Sequence, residues 1–190
     1  MSDIDDGLVS CLRQDVRMWA RVSKTKASIG YVFRYLIFEP GFYFIFCHRL
    51  VRTIGKLPII GRVVARAILL FVRIIFSSDV NFAAKLGPGI YAPHPYCIVI
   101  GANCVIEGNA SLMHGITLGT VSQTDPSIPY LEKNVVVGTG SVVLGAVRLG
   151  EGCSVGANSV VLKDVPPHAA VVGIPAKALA KRSDSSSPAD

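Results

Sequence analysis

From Val80 onward an aliphatic or small residue returns at every sixth position, and no other feature limits the folds open to this chain so strongly. The positions are Val80, Leu86 and Ala92, then Ile100, Ile106, Leu112 and Leu118 after a two-residue offset. After a longer offset come Leu131, Val137, Val143, Leu149, Val155 and Val161. Three places beyond many of them stands Gly or Asn, as at Gly89, Asn103, Asn109, Gly115, Asn134, Gly140, Gly152 and Asn158. These two residue types tolerate the left-handed backbone of tight turns, so each unit of six reads as a short strand and a turn. Three units make a triangular coil. Stacked coils supply one another's strand hydrogen bonds around a continuous aliphatic core. The expected fold class is therefore mainly β, a parallel β-helix over 79–176, with an N-terminal α-helical region over 1–78 and a basic segment and flexible tail over 177–190.

Residues 8–77 read as helices. Leu8, Leu12, Val16 and Trp19 fall on one helical face, 29–39 is a short apolar helix, Pro40-Gly41 breaks the run, and FYFIFCHRLVRTI begins another. Pro58 is expected in the first turn of a last helix through IIGRVVARAILLFVRIIF, where Arg62, Arg66 and Arg73 share a polar stripe. Three interior arginines make membrane crossing costly, so this helix is expected to meet another subunit or to lie on a membrane surface. Composition points the same way: with 51% hydrophobic and only 17% charged residues, part of the surface needs cover.

The net charge of +6 suits phosphate-bearing ligands, but no basic tract with interleaved aromatics suggests nucleic acid. Cys11, Cys47, Cys97, Cys104 and Cys153 lack the spacing of a metal site and read as reduced thiols of a cytoplasmic protein, near the inner membrane face if the helices dock there. The acidic opening MSDIDDG argues against a cleaved export signal.

The repeat resembles the hexapeptide-repeat acyltransferases. Residues 41–177 are more closely similar to the serine O-acetyltransferases, through GFYFIFCHRL, DVNFAAKLGPGIYAPHPYCIVIG, ITLGT and KDVPPHAAVVGIPAK. The resemblance implies a left-handed β-helix, a homotrimer or dimer of trimers, and acetyl-CoA as co-substrate along the outside of the coils. No metal is expected. It also implies a histidine that takes the acceptor hydroxyl's proton, falling on His94, and an aspartate that orients the imidazole, falling on Asp79. An alcohol is a weak nucleophile at neutral pH, and an imidazole, with a reference pKa near 6.5, suits that proton transfer. His114, close to one coil further on, is a rival base. His48 reads as a packing residue and His168 as part of the closing turn.

For the co-substrate, Thr117, Gly119, Thr120, Gly138, Gly140 and Ser141 are expected as the floor of the channel, although the glycines also serve the solenoid's turns. Lys163, Lys177, Lys181 and Arg182 are expected near the nucleotide phosphates. The segment 119–130 leaves the repeat and is expected as an external loop walling a pocket. The acceptor side departs from the serine enzymes. Pro93 stands where they place an aspartate, Lys26 where they place another, and Ser127 and Ile128 where they place an arginine and a histidine. Because an amino acid's two charges need partners, the expectation is a carbohydrate hydroxyl acceptor in capsule, exopolysaccharide or lipopolysaccharide biosynthesis. The alternative is serine O-acetylation with a rearranged clamp.

Overall fold

In the computed structural model, which describes residues 7–25, 29–122 and 124–179, four helices precede a three-sided solenoid. The helices are α1 (Leu8–Val22), α2 (Ile29–Phe38), α3 (Pro40–Ile54) and α4 (Ile60–Phe76). The strands follow in chain order: β1 (Asp79–Val80), β2 (Lys85–Leu86), β3 (Val99–Ile100), β4 (Val105–Ile106), β5 (Ser111–Leu112), β6 (Thr117–Gly119) and β7 (Tyr130–Leu131). Then come β8 (Val136–Val137), β9 (Val142–Leu144), β10 (Arg148–Leu149), β11 (Ser154–Val155), β12 (Val160–Val161), β13 (Ala170–Val172) and β14 (Lys177–Ala178). One side of the solenoid stacks β1-β3-β6-β9-β12, the second β2-β4-β7-β10, and the third β5-β8-β11-β13-β14. Every ladder is parallel except β13–β14, where the chain folds back on its last rung.

The hexad positions face inward without exception: Val80, Leu86, Ala92, Ile100, Ile106, Leu112, Leu118, Leu131, Val137, Val143, Leu149, Val155 and Val161 are all buried. Beside them Cys104, Ala110, Ser141, Cys153 and Ser159 are fully enclosed. Burial pushes the Cys104 thiol up to about 12 and, with Glu132 adding to the effect, the Cys153 thiol up to about 11. Both therefore act as small core fillers. The predicted turn chemistry is present in the backbone: Asn103, Asn109, Asn134 and Asn158 have φ between 49° and 63°.

The helices grip the first coil. Asp15 of α1 and Arg49 of α3 form a buried ion pair at 3.1 Å. Asp15 also accepts the backbone N–H groups of Gly89 (2.8 Å) and Ile90 (3.0 Å), while Arg49 donates to the carbonyls of Leu86 and Gly87. Trp19 Nε1 donates to Ile90 O at 3.2 Å and the indole packs edge-on to Phe42 and Tyr91. Three side chains thus fix the turn 86–90 just before the segment that carries His94.

Two boundaries differ from expectation. The run does break before Pro40, with α2 ending at Phe38, but α3 opens at Pro40 itself and not at Phe42, because a proline there gives up an N–H that would have no helical partner anyway. Pro58 lies outside α4, whose cap is Ile59 with φ 43° and ψ −72°. That non-helical residue ends the turn, so the helix starts only at Ile60.

Candidate active site

The register of the third side brings two histidines to one corner. Tyr91 bridges to Ser111, and His94 and His114 each lie three residues beyond these partners. The two-residue offset seen in the repeat is absorbed within that rung, since Asp79 pairs with Val99 whereas Val99 pairs with Thr117. The imidazoles stand 6.0 Å apart, centroid to centroid, at 77°. Both side chains are exposed, and neither makes a hydrogen bond among the described residues. The backbone beneath them is fixed: Gly115 N–H donates to Tyr96 O and Gly140 N–H to His114 O, both at 2.9 Å. Ser78 Oγ donates to Pro95 O at 2.7 Å and accepts from Ile98 N–H at 2.9 Å, tying the His94 turn to the start of the solenoid. The corner therefore offers two solvent-facing imidazoles on a rigid support, an arrangement able to take and return protons.

Asp79 lies on β1, at the start of the same coil. Its carboxylate accepts from Arg73 Nη2 of α4 at 2.7 Å, with both side chains more than half exposed. Among the described residues Asp79 makes no hydrogen bond to His94; its carboxylate meets a guanidinium six residues upstream. Arg73 is the residue that sequence reasoning missed as a site neighbour. Its position in the last turn of α4, directly before β1, was the available signal.

Of the expected co-substrate residues, Thr117 and Gly119 lie half-buried on β6, and Thr120 is exposed just beyond. Gly138 and Gly140 have a sufficient structural reason to be glycine. A Cβ on Gly138 would sit 2.7 Å from Ala157 N and Val155 O, and Gly140 has φ +68° with Asn158 Oδ1 only 2.3 Å from where a Cβ would stand. Ser141 is a correction: it is fully buried and its hydroxyl faces the carbonyls of Gly138 (2.6 Å) and Gly156 (2.9 Å), so it closes a turn inside the coil and offers nothing to a ligand. Lys163 and Lys177 are exposed, the latter on β14. Arg182, Lys181 and Lys26 lie outside the described residues.

The external loop joins β6 to β7. Asp125 Oδ1 accepts from Ser127 N–H at 2.9 Å, and Asp125 N–H donates to Ser122 Oγ at 3.2 Å. Ile128 turns inward onto the core, its Cδ1 lying 2.7 Å from where a Gly101 Cβ would be. Side-chain burial thus accounts for an apolar residue at 128. His48 is buried on α3 with both ring nitrogens lacking partners among the described residues. His168, at φ 59°, stacks against Gly152 in the closing turns, as a structural corner residue would.

The family described as "Bacterial transferase hexapeptide (six repeats)" matches residues 129–163. The serine acetyltransferase of Synechococcus elongatus is 37% identical over 147 residues, which are 76% of this chain and 59% of that protein. The chain spans about half the length of the curated relatives it matches. Among solved structures, the Neisseria gonorrhoeae serine acetyltransferase in complex with serine superposes with a TM-score of 0.80 at 29% identity, over 93% of this chain and 70% of that one. The Brucella abortus serine acetyltransferase in complex with coenzyme A gives 0.78 at 30% identity, over 90% and 67%.

These relatives overturn the expectation of a carbohydrate acceptor and of a place in polysaccharide biosynthesis. The relatives named above are serine acetyltransferases, and solved structures from Neisseria gonorrhoeae and soybean hold serine. The substitutions at 93, 127 and 128 had suggested another alcohol, but a clamp can be rebuilt from other positions while the fold and the histidine corner stay. The repeat, the parallel three-sided solenoid and these similarities together place the chain in the hexapeptide-repeat acyltransferase superfamily, beside the serine acetyltransferases.

Proposed function

We propose that this chain is an acetyl-CoA-dependent serine O-acetyltransferase of cysteine biosynthesis, with an atypical acceptor clamp. The observation that carries it is the exposed His94–His114 corner on a solenoid whose solved neighbours include one with serine and one with coenzyme A. In this reading the solenoid is left-handed, and three copies assemble side by side so that their seams complete the acceptor and co-substrate sites.

His94 takes the proton of the serine hydroxyl as its oxygen attacks the thioester carbonyl. A tetrahedral oxyanion forms, the C–S bond breaks, and the imidazolium returns the proton to the departing thiolate, giving O-acetylserine and free coenzyme A. Asp79, held by Arg73, places negative charge beside this corner. His114 stands within reach of a ligand on His94 and supplies the serine carboxylate with a hydrogen-bond donor that the substituted loop positions lack. The pantetheine arm runs along β6 past Thr117, Gly119 and Thr120, and Lys163 and Lys177 face the phosphates. Chemistry of this kind needs no metal.

The test is an assay of purified protein with acetyl-CoA and L-serine, following thiol release and O-acetylserine by mass. His94→Ala is expected to lower kcat by about 10²–10⁴. His114→Gln is expected to raise the KM for serine more than it lowers kcat. Absence of serine-dependent thiol release from the folded wild-type protein would overturn the reading.

A further inference from the structure

α4 presents three distinct faces. Gly61, Ala65, Val72 and Phe76 are buried against α3 and the first coil. Arg62, Arg66 and Arg73 run along one border of that buried strip. Beyond them Ile60, Val63, Leu70, Phe71, Ile74 and Ile75 form an apolar stripe open to solvent, with Ile60 77% and Ile74 70% exposed. The helix carries no acidic residue. Arg73 is engaged by Asp79, but Arg62 and Arg66 have no carboxylate partner among the described residues. Arg62 and Arg66 line a cleft of about 490 Å³ together with Gly55, Ala65, Leu69 and Phe82. No described helix is long and apolar enough to cross a membrane.

We propose that α4 is an in-plane docking helix for an anionic phospholipid surface, with the cleft at Arg62 and Arg66 receiving a lipid phosphate headgroup while the stripe from Ile60 to Ile75 enters the acyl boundary. A helix about 25 Å long with arginines bordering a wide apolar stripe has the geometry of an interfacial helix. Charge complementarity selects this occupant over a two-fold contact with a second copy of the chain. An isologous contact would bring the same arginines of two copies together with no acid on either helix to answer them. Phosphates answer them directly, as bidentate acceptors. The apolar stripe beside the cleft separates a lipid from a free phosphate, which would leave that stripe in water. The inference does not depend on which alcohol the enzyme acetylates.

The experiment is cosedimentation of the full-length protein with phosphatidylcholine vesicles and with vesicles enriched in phosphatidylglycerol. Binding is expected to favour the anionic vesicles and to weaken with salt. Arg62→Gln with Arg66→Gln is expected to lower partitioning onto anionic vesicles about thirty-fold, at about fivefold per cation. Phe71→Ser with Ile74→Ser is expected to abolish binding to both vesicle types. Circular dichroism melts and thiol release without vesicles check that each variant is folded. The proposal is overturned by equal binding to both vesicle types, by no binding, or by displacement with inorganic phosphate at constant ionic strength. It is also overturned if the Phe71→Ser/Ile74→Ser protein has a smaller mass in vesicle-free sedimentation equilibrium, which would make the stripe a contact between copies.

Discussion

His48 sits fully enclosed on α3, and burial, reinforced by the positive charges of Arg49 and Arg52, pushes its pKa down to about 3 from an ordinary 6.5. The folded state therefore holds this imidazole neutral, while the unfolded chain takes up a proton as the pH falls below 6.5. Its contribution to stability is full above pH 6.5 and declines as the pH drops toward 3, by about 1.4 kcal/mol per pH unit. Replacing it with a ring of similar size but no nitrogens, His48→Phe, is expected to flatten the stability profile between pH 6.5 and pH 4 in urea titrations. It also removes two ring nitrogens that lack a partner among the described residues, a gain of about 1–3 kcal/mol at pH 5 if the ring fits. An unchanged slope would mean that His48 is protonated in the folded protein. At this scale the sequence spoke unevenly. Reading His48 as packing and His168 as a turn residue needed only their neighbours. The partner of Asp79 could not be read, because whether Arg73 or His94 takes the carboxylate depends on the direction in which α4 enters the solenoid. Ser141 shows the converse: a hydroxyl in a glycine-rich stretch looks like a ligand contact until its inward direction is known.

The elements that set the His94 corner are α1 and α3, and each can be tested through one residue. Gly41, in the first turn of α3, lies so close to the segment before His94 that a Cβ would be 1.8 Å from Ala92 O and 3.0 Å from Trp19 Cη2. Gly41→Ala must push the helix off that backbone, at a cost of about 1–3 kcal/mol, and is expected to lower kcat together with the urea midpoint. A midpoint shift with unaltered kcat would show that the corner does not depend on α3. Asp15→Asn leaves the Arg49 guanidinium buried without its counter-charge and is expected to destabilise the protein by about 3–5 kcal/mol. The repeat made the solenoid legible because burial alternates in its short strands and its turns recur. The helices were legible from apolar spacing along Val16 and Trp19, but the buried Asp15 beside them was not. Its counter-charge lies 34 residues away on another helix, and no local pattern encodes that pairing.

At the scale of the whole solenoid, the loop after β6 is the largest departure from an even coil among the paired strands. Thr117 to Val142 on the first side are 25 residues apart, whereas Val99 to Thr117 and Val142 to Val160 are each 18 apart. The seven additional residues can be removed without touching a rung. Excision of 121–127 leaves Ile128 to pack on Gly101 and leaves Pro129 O to accept from Val105 N–H and Cys104 Sγ. The spacing from Thr117 to Tyr130 then becomes the regular six. Because loop length enters stability only logarithmically, the excised protein is expected to melt within a few degrees of the parent. Binding of coenzyme A, measured by calorimetry, is expected to persist, since Thr117, Gly119 and Thr120 remain. Serine-dependent turnover is expected to fall at least tenfold if the loop walls the acceptor beside His94 and His114, a loss of about 1.4 kcal/mol in transition-state binding. Turnover equal to the parent's would remove the loop from the acceptor site and leave the two histidines, with whatever a neighbouring copy contributes, to hold the serine alone.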